Sequence, residues 1–176
     1  MRTLFCLCIL VLLHHNSNAQ WIQTTGPECG FAYDFETVGQ YIFVSSEGNG
    51  VFRSSNGGNT WTNTSIGLPK SSIQNLAVIG TTIFAGTIDG VYKSDNNGLN
   101  WIPANSGISG ISIISFATDG ADLYAGSEGY GIFVTDDNGI TWTQKNNGLG
   151  DLYIKEIEIN SGGMYVGTSN GTYSST

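Results

Sequence analysis

The chain has 176 residues, fourteen acidic side chains against six basic ones, and a net charge of −8. That balance excludes nucleic acid and anionic membrane surfaces as partners, since both are held by Lys and Arg. Its two histidines and three cysteines are few, and most fall at the N-terminus.

Taken in chain order, residues 1–19 read as a secretory leader. Met1-Arg2 give a short positive start, Leu4–Leu13 an apolar run, and Ser17-Asn18-Ala19 a small-x-small cleavage site before Gln20. Ten apolar residues reach only about 15 Å as a helix, half a bilayer, so a membrane anchor is the poorer reading. Cleavage after Ala19 removes His14, His15, Cys6, Cys8 and Arg2. Five Lys and Arg then face fourteen carboxylates, a charge of −9, with Cys29 the last thiol. A lone cysteine forms no internal disulfide, so packing must stabilise the exported chain. We expect it to be secreted, periplasmic or surface-held, without membrane insertion once the leader is gone.

From Gln20 the chain repeats. Trp21, Trp61, Trp101 and Trp142 are spaced by 40, 40 and 41 residues. YIFVSSEGNGVFRSSNGGNTW (41–61), TIFAGTIDGVYKSDNNGLNW (82–101) and LYAGSEGYGIFVTDDNGITW (123–142) align, and MYVGTSNGTYSST begins a fourth copy at Met164. A period of this length marks repeat architectures. Short apolar, β-branched runs alternate with Gly, Asn, Asp and Ser, which predicts strands throughout. Four fit each unit: Ile73–Ile79 or Ile113–Thr118, then Thr82–Thr87 or Asp122–Ser127, then Val91–Ser94 or Ile132–Thr135, and a fourth starting at the Trp, as in Trp101–Asn105. Ile83, Phe84 and Ala85 are apolar on both faces of the second strand, as a sheet sandwiched between two others requires. Gly86, Gly126 and Gly167 recur there, where backbones approach closely. The predicted fold is all-β: a β-propeller of four-stranded antiparallel blades, about four repeats of ~40 residues. A β-sandwich would seldom keep so strict a period.

Three turns share one pattern. It runs through Ser54, Asn56, Gly58 and Trp61; through Ser94, Asn96, Gly98 and Trp101; and through Thr135, Asp137, Gly139 and Trp142. The acidic or amide residue can accept backbone N–H bonds, the Gly can take positive φ, and the Trp can bury a large ring. The pattern resembles the Asp-box, or BNR repeat, Ser/Thr-x-Asp-x-Gly-x-Thr-Trp. The departures are Asn56 and Asn96 for Asp and Asn100 for Thr. Asp-box propellers include sialidases, the sortilin ectodomain, xyloglucan hydrolases and a photosystem II assembly factor. Undescribed secreted bacterial repeat proteins are nearest in texture. The resemblance implies that these turns join third and fourth strands and are structural, away from any ligand. Asp136-Asp137-Asn138-Gly139 lacks the ligand spacing of a calcium loop, so no metal and no cofactor are expected.

The resemblance places ligand-binding surfaces at second-to-third-strand turns and inter-blade loops. The candidates there are Glu47, Asn49, Asp89, Glu128, Tyr130, Asp151, Tyr153 and Asn170, with Lys70 and Ser109 beside them. A polar, acidic face with exposed tyrosines suits a carbohydrate or a peptide, although polar hairpin tips need no ligand to explain them. Sialidase chemistry would need an arginine triad, and the exported chain has only Arg53. With both histidines gone, His-based catalysis and Cys–His pairs are excluded. Paired carboxylates acting on a glycoside survive as an option, but no motif selects a pair. Inter-blade loops of about seven residues, as in Asn147–Tyr153, make a shallow face. The sequons Asn63-Thr64-Ser65 and Asn170-Gly171-Thr172 are unremarkable in so Asn- and Thr-rich a chain. The expected function is a non-catalytic extracellular interaction module for a protein or glycan. The alternative is a fragment of a xyloglucan-hydrolase-like enzyme whose other residues lie elsewhere. Gln20-Trp21-Ile22-Gln23 reads as a fourth-type strand and Thr172–Ser175 as a third-type strand. The topology thus permits a closed four-bladed ring, but a truncated arc of a larger propeller is the expectation, since Asp-box rings generally have six or more blades.

Overall fold

The computed structural model describes residues 23–27 and 30–175. The expected leader, Trp21, Ile22 and Cys29 lie outside the described residues. All the regular structure described is β, in four antiparallel sheets with strands in sequence order. The first blade is β1 (Ala32–Val38), β2 (Tyr41–Ser46), β3 (Gly50–Ser54) and β4 (Thr62–Asn63). The second is β5 (Asn75–Ile79), β6 (Thr82–Thr87), β7 (Gly90–Ser94) and β8 (Ile102–Pro103). The third is β9 (Ile113–Thr118), β10 (Leu123–Ser127), β11 (Ile132–Thr135) and β12 (Thr143–Gln144). The fourth has three described strands, β13 (Ile154–Asn160), β14 (Gly163–Thr168) and β15 (Gly171–Ser175). First strands pack side by side, β1 on β5, β5 on β9 and β9 on β13, forming the inner edge of an arc that does not close.

Three apolar cores lie between blades. Val38, Phe43 and Val51 meet Leu76, Ile83 and Trp101 at the first seam. Phe84 and Val91 meet Ile113, Phe133 and Trp142 at the second. Ile132 meets Ile154, Ile157 and Val166 at the third. Every residue of β6 is buried, as expected of a blade with two dry faces. Gly86 and Gly126 are closely approached, but by side chains rather than the backbone anticipated, and at Gly167 a Cβ would meet nothing nearer than Glu156 Cβ at 4.0 Å. A Cβ on Gly86 would stand 2.2 Å from Asn75 Oδ1, and one on Gly126 2.6 Å from Ile154 Cγ2 of the next blade.

Two expectations need correction. The fourth strand begins one residue after the Trp and spans two residues, Ile102–Pro103 rather than Trp101–Asn105. Beyond it the side chain replaces the ladder: Asn105 Oδ1 accepts the Val91 N–H at 2.7 Å, as Asn146 Oδ1 accepts that of Ile132 at 2.8 Å. The strand predicted over Ile73–Ile79 starts at Asn75, because the Ile73 N–H is drawn to the Ser46 carbonyl of the first blade.

Each turn between third and fourth strands is built the same way. Ser54, Ser94 and Thr135 each accept the N–H of Gly58, Gly98 and Gly139 at 2.9 Å through the side-chain hydroxyl. Asn56, Asn96 and Asp137 accept the N–H four residues on at 2.9, 3.1 and 2.8 Å. Only an acceptor is needed, so Asn serves as well as Asp. The glycines sit at φ of 84°, 75° and 78°. A Cβ on Gly98 or Gly139 would stand 2.8 Å from the ring of Phe43 or Phe84 in the preceding blade. The Thr141 hydroxyl also donates to Asp137 at 2.6 Å. That bond and the Thr141 N–H hold the Asp137 carboxyl down at about 2.

Trp101 and Trp142 are buried, and their indole N–H groups cross the seam to the carbonyls of Thr64 and Ala104 at 2.7 and 2.8 Å. Trp61, expected to match them, is only half-buried, and its Nε1 has no partner among the described residues. The reason is positional: where a preceding blade packs on Trp101 and Trp142, the Trp61 ring borders a cavity that it lines with Thr25, Gly26, Pro27 and Phe52. Trp101→Ala and Trp142→Ala should therefore each cost roughly 3–5 kcal/mol in urea unfolding, and Trp61→Ala clearly less. The low Asp137 pKa makes its contribution complete above 3.8 and lost as pH falls through about 2. Asp137→Asn should keep the turn and flatten the acid limb of a pH-stability curve in that window.

Candidate functional site

Strands run antiparallel, so turns between second and third strands lie at the end of each blade opposite the Ser/Thr–Gly–Trp turns. The connections to the next blade lie with them, as the hydrogen bonds show. The Gly110 N–H donates to the Asp89 carbonyl at 3.1 Å, and that of Gly131 to Leu152 at 2.9 Å. This end of the arc is the tip face, and all eight candidate residues are on it.

The structure brings five of the eight together where the third blade meets the fourth. Glu128 pairs with Tyr153 in an isolated antiparallel bridge. The Tyr153 hydroxyl donates to the Glu128 carboxylate, and the Lys155 ammonium sits 4.1 Å above the Tyr153 ring. Asp151 accepts the Tyr153 N–H at 3.0 Å, and its carboxyl is lowered by that bond first, with Thr168 and Asn170 adding to it. Tyr130 is exposed beside them, its carbonyl taken by the side-chain amide of Asn146 at 2.9 Å. The Asn170 N–H turns back to Thr168 Oγ1 at 3.1 Å. The other three stand apart. Glu47 and Asn49 are at the first tip, where Asn63 donates to the Asn49 carbonyl at 2.8 Å, and Asp89 is at the second.

The cluster is an aromatic and hydroxyl-rich ledge with an ionised Asp151.

Another group escaped the sequence reading. Asp34, Asn75, Ser115 and Glu156 hold matching positions on the four inner strands, and with Glu36 they line one polar cavity of ≈ 330 Å³ at the concave edge. The Asp34 carboxylate accepts the Leu76 N–H at 2.8 Å, and Asn75 donates to the Ile113 carbonyl at 3.1 Å, each bond joining one blade to the next. Burial, followed by the neighbouring Asp34, raises the Glu36 carboxyl. The signal was a polar residue at the same register of the four inner strands, which the tryptophan-based alignment did not reach. Among the described residues no group of three or more His, Cys, Asp or Glu could hold a metal ion.

No protein-family model matches the chain, and no curated protein matches it. Solved structures do. An ancestral GH74 enzyme superposes with a TM-score of 0.68 at 22% identity, over 84% of this chain and 23% of that one. The computationally designed Ika4 protein gives 0.68 at 10% identity, over 90% of this chain and 99% of that one. The extracellular domain of a putative hybrid two-component system from B. thetaiotaomicron gives 0.65 at 14%, over 90% and 23%. The fold is a β-propeller. The chain spans under a quarter of the GH74 enzyme it resembles, and identities this low carry the fold alone.

The Tyr153 phenol is raised above its ordinary 10.0, first by its bond to Glu128. Glu128→Gln should bring its titration midpoint down, as followed by NMR of ring-labelled tyrosine. An unmoved midpoint would show that the pair does not form in solution.

Proposed function

We propose that the chain is a secreted, non-catalytic Asp-box propeller module that recognises a glycan or an extended peptide on its tip face. The observation that carries this reading is the Glu128–Tyr153–Lys155 stack beside exposed Tyr130. It provides a rigid aromatic surface with hydroxyl, carboxylate and ammonium groups at its rim. Aromatic faces pack against sugar rings and peptide side chains at small entropic cost, and the charged rim gives direction. Two features support export: the leader-like residues 1–19, and the extracellular sensor domains among proteins of similar fold. The turns before Trp61, Trp101 and Trp142 support the Asp-box assignment, because in each the hydroxyl accepts the glycine N–H and the Asn or Asp accepts the N–H four residues on.

The second reading, glycoside hydrolysis, draws on the GH74 enzymes of similar fold and on Glu36, whose raised carboxyl shares a cavity with Asp34 and Glu156. We favour the first reading, since Asp34 is tied to a backbone N–H and the cavity is far smaller than a polysaccharide cleft. The exported chain should bind at least one member of an array of plant, bacterial and host glycans and extended peptides. Tyr130→Ala and Tyr153→Ala should weaken that binding at least tenfold. Xyloglucan and other β-glucans should remain uncut. Binding that survives both substitutions would move the site elsewhere, and turnover lost in Glu36→Gln would establish the second reading.

A further inference from the structure

The polar residues at matching positions of the inner strands tie one blade to the next, and at the third blade those bonds run out. The Asp34 carboxylate accepts the Leu76 N–H, and the Asn75 amide donates to the Ile113 carbonyl. Ser115 comes next and is 3% exposed, yet its hydroxyl has no hydrogen-bond partner among the described residues. Asn75 is 7% exposed, and its Oδ1 has none either. Glycines keep room for both oxygens. A Cβ would stand 2.2 Å from Asn75 Oδ1 at Gly86 and 2.3 Å from Ser115 Oγ at Gly126. Buried polar oxygens are costly when no donor reaches them, so two in one place point to a group that brings N–H or O–H bonds.

Both residues border the ≈ 330 Å³ cavity at the concave edge, together with Asp34, Glu36 and Glu156. Three carboxyl groups line it, and among the described residues no Lys, Arg or His does. Glu36 registers the imbalance, its carboxyl raised first by burial and then by the neighbouring Asp34. The cavity thus offers acceptors and negative charge without a counter-charge. A metal ion does not fit it, because among the described residues no three acidic groups converge to hold one. Its volume is at the small end of ligand sites, which span roughly 300–1,000 Å³. Ile114 and Phe116 add apolar wall on which an alkyl stem can pack. Asn75 opens β5 directly after the connection from the first blade, so the cavity lies toward the tip face. Neither Tyr130 nor Tyr153 lines it, so it is separate from the aromatic ledge.

We propose that this cavity binds one organic cation of side-chain size, an alkylammonium or alkylguanidinium group, whose N–H groups are shared among Asn75 Oδ1, Ser115 Oγ and the carboxyl groups of Glu36 and Glu156. The bond from Asn75 to Ile113 holds its amide, so Oδ1 is fixed in advance. No hydrogen bond holds the Ser115 hydroxyl, so it is free to turn to the ligand. Hydrogen bonds from a cation to a carboxylate are the strong ones, and the added charge relieves the repulsion between Glu36 and Asp34. Asp34 itself stays committed to the Leu76 N–H and contributes charge alone.

The test is an NMR titration of the nitrogen-15-labelled exported chain with four probes: N-acetyl-lysine methylamide, N-acetyl-arginine methylamide, the neutral N-acetyl-norleucine methylamide, and calcium chloride. The lysine or arginine probe should shift the Asn75, Leu76 and Ser115 amide signals to saturation, and the tighter of the two names the preferred cation. The norleucine probe and calcium should leave those signals in place. Ser115→Ala should weaken binding about fivefold or more while leaving the urea midpoint of the free chain unchanged or raised, since it removes an unpaired buried hydroxyl. Glu156→Gln, on an exposed side chain, should weaken binding without touching the interior. Signals that do not saturate with either cation overturn the proposal, as does a response to norleucine or to calcium equal to theirs. It is also overturned if Ser115→Ala lowers stability and Glu156→Gln leaves binding intact, which would make the hydroxyl a structural group.

Discussion

The fold rests on one contact repeated across each seam: an indole from one blade set against the backbone of the blade before it. Trp101 and Trp142 bury their rings and satisfy their N–H groups on the carbonyls of Thr64 and Ala104. A buried indole needs such a partner, since an unpaired N–H in an apolar seam costs about 1–3 kcal/mol. The contact demands a glycine where the chain crosses the backbone of the Trp and a tight turn just before the Trp. Gly67, Gly107 and the three Ser/Thr–Gly turns answer those demands. Since the partner is always the neighbouring blade, no blade is complete alone. The apolar cores therefore lie between sheets.

The seam also separates the two ends of each blade. The Trp turns hold one end rigid through backbone bonds that leave their side chains committed. The tips at the other end are tied to the next blade by single bonds, such as Gly131 to Leu152, and their side chains stay outward. Glu128, Tyr153 and Lys155 can then associate across a seam whose geometry is fixed from beneath. A recognition surface can vary on such a platform without disturbing the core, which is why the fold carries unrelated functions.

The repeat was fully legible in the sequence. Tryptophans spaced by 40, 40 and 41 residues and the turns before them gave strand number, order and direction. The acceptor role of Asn56, Asn96 and Asp137 follows from local chemistry within five residues of chain, and the structure bears it out. Second strands that are apolar on both faces announced two dry faces, and β6 has them. These are properties of neighbouring residues, or of a period, and a linear chain displays both.

Contacts between blades decided the rest. Trp61 and Trp101 share one local pattern, yet only Trp101 has a blade before it to bury its ring, a difference no window of sequence contains. Five of the eight tip residues meet at a single seam because β13 is laid on β9; Glu47, Asn49 and Asp89 fit the same pattern but lie at the first two tips, Glu47 against Tyr33 of its own blade. The ring of Asp34, Asn75, Ser115 and Glu156 is dispersed over more than a hundred residues and converges only because the inner strands line one edge. Local bonding set what each blade is, and the seams, which join residues about forty apart, set what each side chain touches.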